Sequence, residues 1–160
     1  LTGETDDPQE GAVPLPTVAM MAEHLGLVEI KELDLSYGMG ASYLDSPVVT
    51  QTRHFPLAWL KFYTGSSPEK LFFARAIGDS MAPTLLDGDM VLIDTADQDP
   101  RFADQIWAIA YGITGMIKRL RPMPDGSVKI LSDNDRVPPE IAVDGEMHVI
   151  GRVVAVIRKL

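Results

Sequence analysis

A serine and a lysine in separate apolar segments are the residues of this sequence best suited to chemistry. Ser80 follows Gly78 and Asp79 at the end of an apolar segment, and a turn after a strand can expose a nucleophile. A serine hydroxyl is a weak nucleophile near neutral pH and needs a base beside it. Lys118 lies in a second apolar segment, where loss of solvation lowers the pKa of an amine and lets it accept a proton. The two residues are therefore a candidate nucleophile and a candidate general base.

Both residues also have a simpler interpretation. Asp79 and Ser80 are typical of a turn in which short polar side chains hydrogen-bond the backbone. Lys118, together with Arg119 and Arg121, is typical of a solvated basic strand edge. These residues taken alone leave both interpretations open.

The remaining polar residues fit no metal or cofactor site. The acidic groups around Asp87 and Asp133 do not match the calcium-binding loop. Gly38-Met39-Gly40 lacks the rest of a phosphate-binding fingerprint. The histidines are scattered, without the spacing of a zinc site or a catalytic motif, at positions His24, His54 and His148. We therefore expect neither a metal nor a cofactor.

The composition narrows the class of protein. The 160-residue chain has 14 basic and 23 acidic residues, a net charge of −9, and no cysteine. The lack of cysteine excludes disulfides, thiol catalysis and cysteine-ligated zinc. Hydrophobic residues make up 46% of the chain, but no apolar run approaches the ~18–20 residues that span a bilayer. We expect a cytoplasmic protein that does not bind membranes, and so acidic a chain is not expected to read nucleic acid by itself.

The order of segments predicts a tail followed by one domain. Residues 1–16 are acidic and rich in proline and glycine, so burial cannot offset the entropy of ordering them. Thr17 is a typical N-cap for a short helix that Gly26 ends. We assign residues 1–27 to an acidic interdomain linker or tail and residues 28–160 to the domain.

Short aliphatic and aromatic segments, separated by turn residues, indicate a β protein from residue 28 onward. Almost no helical periodicity follows Gly65, so the expected fold is mainly β, a twisted barrel-like arrangement with few short helices. The predicted strands cover residues 28–36, 71–77, 90–93, 106–111, 116–120, 128–131 and 149–157.

One long run of residues resembles a known family. Residues 78–94, Gly-Asp-Ser-Met-Ala-Pro-Thr-Leu-Leu-Asp-Gly-Asp-Met-Val-Leu-Ile-Asp, are similar to the LexA and phage-repressor family of self-cleaving serine–lysine peptidases. Lys118 stands at the matching distance from Ser80. The similarity spans roughly residues 70–157 and continues through residues 117–120, 131–134, 138–139 and 149–154.

The resemblance implies roles for particular residues. Ser80 is implied to be the nucleophile and Lys118 its general base. Met81 is implied to lie in the loop that helps form the oxyanion site. The implied fold is a β-rich LexA-like peptidase domain, and its substrate is a segment of its own chain.

The resemblance also implies partners. Such domains form homodimers and follow an N-terminal helix-turn-helix domain that binds operator DNA. DNA damage, through an activated recombinase filament, triggers cleavage of the linker in the SOS response. Because the chain begins at Leu1 rather than methionine, we expect a fragment or a processed product, and the resemblance implies that the DNA-reading domain lies upstream of Leu1.

Two positions depart from the family pattern. Relatives usually cut between a small residue and glycine, whereas the corresponding bond here joins Tyr37 to Gly38. A pocket sized for a methyl group would reject a phenol. Relatives often have a threonine two positions before the lysine, and Met116 stands there in this chain. Two functions therefore stay open: a dimeric repressor domain with serine–lysine self-cleavage, and a dimerisation module of the same kind of repressor without peptidase activity.

Overall fold

In the computed structural model, the described part of the chain contains nine strands and two short α-helices, joined by loops and turns. The structure describes residues 13–37 and 48–160, so Gly38 and residues 1–12 of the predicted tail lie outside the described residues. The prediction of a mainly β fold is confirmed. The strands are β1 (Leu27–Leu33), β2 (Val49–Pro56), β3 (Leu71–Arg75), β4 (Met90–Asp94), β5 (Gln105–Tyr111), β6 (Thr114–Pro122), β7 (Val128–Leu131), β8 (Glu140–Ala142) and β9 (Met147–Ile157), and the helices are α1 (Val18–His24) and α2 (Leu57–Tyr63).

The strands form one sheet in the order β2-β1-β3-β4-β9-β5-β6-β7-β8. Within the described sheet, β1 and β3 are parallel and the other neighbours are antiparallel. The long strand β9 pairs with β5 through its first half and with β4 through its second half. The two halves of the sheet are therefore joined around β9.

Apolar runs explain why the central strands are buried. All five residues of β4, and four of the five in β3, are buried. Strands that are covered on both faces read as continuous apolar runs, since neither face needs polar residues. One core cluster, which includes Met81, Leu85, Val91, Ile117 and Ile150, lies under the loop that carries Ser80.

The short helix predicted after Thr17, within the residues assigned to the linker or tail, is confirmed. It is α1, and the hydroxyl oxygen of Thr17 accepts a hydrogen bond from the Met20 N–H at 3.1 Å, as an N-cap does. In the described residues, no helix is long and apolar enough to cross a membrane.

Candidate active site

The loop that carries Ser80 joins β3 to β4 and is closed at its base by backbone hydrogen bonds. The Ala76 N–H donates to the Asp89 carbonyl at 2.8 Å, and the Gly88 N–H donates to the Ala76 carbonyl at 2.8 Å. Gly88 has φ +87°, a left-handed conformation that favours glycine. The loop therefore leaves and re-enters the sheet at fixed points.

Two carboxylates fix the loop from within. The Gly78 N–H donates to Asp87 Oδ1 at 2.7 Å. The buried carboxylate of Asp89 accepts the Leu86 N–H at 2.8 Å and Arg158 Nε at 2.8 Å. The hydrogen bond from Arg158 is the main reason that the pKa of Asp89 lies below its ordinary value. The end of the chain after β9 is thus attached to the loop of the candidate nucleophile.

Ser80 and Met81 stand at the start of a single tight turn in this loop. The Leu85 N–H donates to the Met81 carbonyl at 2.9 Å, and the Met81 side chain is buried in the core below. Ser80 is half-buried. The turn therefore anchors Met81 while Ser80, the preceding residue, remains accessible from one side.

Lys118 lies in the middle of β6 and is only 9% exposed. Its Nζ donates a hydrogen bond to Ser132 Oγ at 2.6 Å. Burial lowers the pKa of Lys118, and the negative charge of Glu140 opposes that shift more weakly. An amine in this environment loses its proton more readily than an exposed lysine does.

The interpretation of this region as a solvated basic edge is wrong. Lys118 is buried, and Arg119 and Arg121 each have an acidic partner. Arg119 Nε donates to Asp133 Oδ1 at 2.6 Å, and Arg121 Nη2 donates to Asp104 Oδ2 at 2.7 Å. The reason is the alternation of side chains along β6, which places Lys118 on the face of the strand opposite to Arg119 and Arg121.

A three-residue segment after β7 contacts both the lysine strand and the serine loop. Ser132 accepts the hydrogen bond from Lys118, as described above. Asn134 donates its backbone N–H to the Ser80 carbonyl at 3.0 Å and its Nδ2 to the Asp79 carbonyl at 3.1 Å. Among the residues that the structure describes, no direct hydrogen bond joins Ser80 to Lys118. The segment therefore holds the two candidate residues in one region of the fold.

Ser132 and Asn134 were given no role by the sequence alone. The run Leu131-Ser132-Asp133-Asn134 contributes to the family resemblance, but nothing in it shows which side chains its hydroxyl and amide contact. The position of Met116, which removes a hydroxyl from the neighbourhood of Lys118, was the one signal that another acceptor was needed.

A cleft of about 270 Å³ opens beside Ser80. Ser80 and Met81 form part of its wall, and β6 contributes Met116 and Ile117, the residues just before Lys118. Its other walls include Leu35 and Ser36, which belong to a short 3₁₀ turn, Leu35–Tyr37.

The position of that turn bears on the predicted cleavage site. Tyr37 is its last residue, and Gly38 lies outside the described residues. The structure thus brings Ser80, Met81 and the chain just before the predicted bond to one cleft. In residues 13–37 and 48–160, no cluster of histidine and acidic side chains is suited to hold a metal ion.

Comparison with known proteins identifies the family. The model of the Peptidase S24-like family matches residues 26–154. An uncharacterized HTH-type transcriptional regulator of Haemophilus influenzae is 32% identical over 83 residues, a match that covers 49% of this chain and 34% of the relative. Repressor protein CI of Enterobacteria phage phi80 is 37% identical over 79 residues, covering 49% of this chain and 33% of the repressor. The chain therefore spans about a third of the length of these relatives. This chain belongs to the Peptidase S24-like family, the family of LexA and the phage repressors.

Proposed function

We propose that this chain is the regulatory domain of a transcriptional repressor, which dimerises and cuts its own backbone between Tyr37 and Gly38. Ser80 is the nucleophile and Lys118 the general base. One observation carries the proposal: a buried lysine, its pKa lowered by burial, is held by the same segment that holds the loop of Ser80. That is the arrangement a serine–lysine peptidase needs.

The proposed reaction proceeds through an acyl-enzyme. Neutral Lys118 takes the proton of Ser80 as Oγ attacks the carbonyl carbon of Tyr37, and the Met81 N–H stabilises the oxyanion that forms. The protonated amine then gives its proton to the nitrogen of Gly38, and the C–N bond breaks. Water, with Lys118 again as base, hydrolyses the ester between Ser80 and Tyr37 and releases the serine.

The regulatory half of the proposal draws on the relatives and on charge. The two relatives are named as an HTH-type regulator and a repressor, and each is about three times as long as its match to this chain. We therefore assign residues 28–160 to dimerisation and cleavage, and residues 1–27 to the linker from a DNA-binding domain upstream. Dimerisation would raise operator affinity by joining two DNA-reading domains. An activated recombinase filament is the proposed trigger, and the cytoplasm the proposed location.

Self-cleavage is tested by incubating the purified chain between pH 7 and pH 10 and following its mass. We expect two fragments that correspond to a cut between Tyr37 and Gly38. The rate should increase with pH and level off once Lys118 is neutral, because only the neutral amine accepts a proton. Because burial lowers the pKa of Lys118, the plateau should begin below the ordinary lysine range.

Ser80→Ala is the matched control, since it removes one oxygen and leaves Lys118 in place. It should stay intact at every pH. A cut that persists in this variant would assign the reaction to another residue or to a contaminating protease. A wild-type chain that stays intact throughout contradicts the peptidase half of the proposal.

The second candidate function is a dimerisation module without peptidase activity. Tyr37 favours it, because its phenol stands where relatives usually have a small side chain. An intact wild-type chain that is nevertheless dimeric in sedimentation would support this function. Release from DNA would then need a signal other than cleavage.

Replacing Tyr37 with alanine should accelerate self-cleavage by about tenfold or more, the usual range for relieving one misfit in a binding pocket. The measurement is the initial cleavage rate at pH 9. Tyr37→Phe is the control, because it keeps the ring and should cut as slowly as the wild type. Equal rates for all three chains would show that residue 37 does not occupy the pocket.

A further inference from the structure

We propose that Ser132 is the positioning residue that orients the Lys118 amine toward Ser80. The inference rests on the proposed function and adds to it a role for a residue to which the resemblance gave none. It starts from one contact, the 2.6 Å hydrogen bond that Lys118 Nζ donates to Ser132 Oγ.

The direction of this hydrogen bond suits a general base. A neutral lysine amine has two N–H donors and one lone pair, and it must present the lone pair to the proton that it removes. When one N–H is donated to Ser132, rotation about the last carbon–nitrogen bond is restricted. The lone pair is then available on the side away from Ser132. Without an acceptor, the amine on its flexible four-carbon chain would sample all three rotations.

Strand register brings Ser132 to the lysine. In the antiparallel pair of β6 and β7, Arg119 is opposite Leu131, so the next residue along falls opposite Lys118. Met116 lies on the same face of β6 as Lys118, two residues away, but a thioether sulfur is a weak acceptor. The acceptor is therefore supplied by the residue that follows the neighbouring strand β7, and not by the strand of the lysine.

The residues that follow Ser132 hold it in place. Asp133 is paired through two oxygens with Arg119, at 2.6 Å and 3.0 Å. Asn134 is bonded to the carbonyls of Asp79 and Ser80. Because Ser132 directly precedes these two anchored residues, its position is fixed relative to both the base and the nucleophile.

Among the described residues, few charged groups act on Lys118, so its pKa is a sensitive measure of the hydrogen bond to Ser132. Glu140 acts on it through its negative charge, and the carboxylate of Asp133 is paired with Arg119. On the β5 side the residue paired with Lys118 is the uncharged Trp107. A change at Ser132 removes no charge, so a shift in the titration of Lys118 would report the lost hydrogen bond.

The test compares Ser132→Ala with Ser132→Thr in the 160-residue chain. Two quantities are measured: the rate of self-cleavage from pH 7 to pH 10, and the pKa of Lys118 by nuclear magnetic resonance of its side-chain nitrogen. The hydroxyl oxygen stabilises the charged amine more than the neutral one, so its loss should lower the pKa of Lys118. We expect the pH midpoint of cleavage to move down while the plateau rate falls roughly tenfold. Ser132→Thr keeps the hydroxyl and should restore both.

The combination of a lower plateau and a lower midpoint distinguishes positioning from general damage to the fold, which has no reason to shift the midpoint downward. Ser67→Ala, at an exposed serine that bonds Glu69, is the control and should match the wild type. Should Ser132→Ala fold poorly, Ser132→Cys keeps the volume with a weaker acceptor, and the same shifts are expected.

The outcomes separate this inference from the proposed function. A Ser132→Ala chain with wild-type plateau, midpoint and Lys118 pKa would overturn the positioning role while self-cleavage stands. If the wild type does not cut, the peptidase proposal fails, but the resonance measurement still tests the contact between Lys118 and Ser132. A lower pKa of Lys118 in Ser132→Ala than in the wild type supports that contact, and an equal pKa overturns it.

Discussion

Replacing Lys118 with methionine is expected to abolish self-cleavage at every pH and, at the same time, to make the domain more stable at pH 7. The loss of activity follows from the loss of the base, which contributes about 10²–10⁴-fold to reactions of this kind. Methionine keeps most of the length of the lysine side chain, so the packing of β6 should change little. The measurement is the amount of intact chain after long incubation at pH 9.

The gain in stability follows from the sign of the pKa shift. Burial places the pKa of Lys118 in the folded protein below its value in the unfolded chain. Between these two values the unfolded chain binds more protons, so stability increases with pH across that window. Below the window the charged amine is buried at full cost. Methionine carries no such cost, and its advantage should shrink as the pH approaches about 10.4.

Thermal unfolding at pH 7 and pH 10 measures this difference. A gain of about 1 kcal/mol would raise Tm by about 2–4 °C in a domain of this size. Lys31→Met is the matched control, because Lys31 is exposed on β1 and its replacement should change neither the cleavage nor the pH dependence. A Lys118→Met chain that is less stable at pH 7 would show that the hydrogen bond to Ser132 outweighs the burial of the charge.

Strands β4 and β7 could be predicted from the sequence because their apolar residues indicate a strand without knowledge of the strands that pair with them. Residues 128–131 were predicted with the bounds of β7, and residues 90–93 miss β4 by one residue. Residues 90–93 are apolar throughout, and residues 128–131 are apolar apart from Lys129, so the local sequence already favours a strand in both segments.

The elements that were missed carry weaker signals. In β2 the residues from Thr50 to His54 are polar, and the first half of the strand is exposed at an edge of the sheet. β8 has three residues, and α2 has seven with Leu60 as its buried residue. Each depends on the strand or face against which it pairs, and the local sequence does not contain that information.

The same distinction applies to the site. Ser80 and Lys118 were singled out because their chemistry is visible in the residue type and its flanking residues. The contact of Ser132 with Lys118 depends on the register between β6 and β7, and that of Asn134 with the Ser80 loop depends on how the end of β7 meets a loop between two other strands. From the sequence alone, an exposed lysine on a polar strand face cannot be distinguished from a buried lysine until the strand pairing is known.

Replacing Gly151 with alanine is expected to destabilise the sheet strongly. Gly151 lies on β9 at the point where its pairing passes from β5 to β4. A Cβ built there would lie 2.5 Å from the Asp94 carbonyl oxygen and 2.9 Å from a methyl carbon of Ile93. The nearest obstacle is backbone and cannot rotate away, so β4 and β9 would have to separate.

Overpacking of this kind usually costs about 1–3 kcal/mol, and contact with backbone places Gly151→Ala at or above the upper end. The measurement is the urea midpoint of unfolding. Gly65→Ala is the control, because the added methyl would meet nothing within 4 Å and the residue has no positive φ. It should unfold at the wild-type midpoint or slightly above it, since alanine restricts the unfolded chain. Equal midpoints for the two variants would mean that the strands separate at Gly151 without a loss of stability.

A large loss of stability in Gly151→Ala should also slow self-cleavage, because Arg158, just after β9, binds Asp89 in the loop of Ser80.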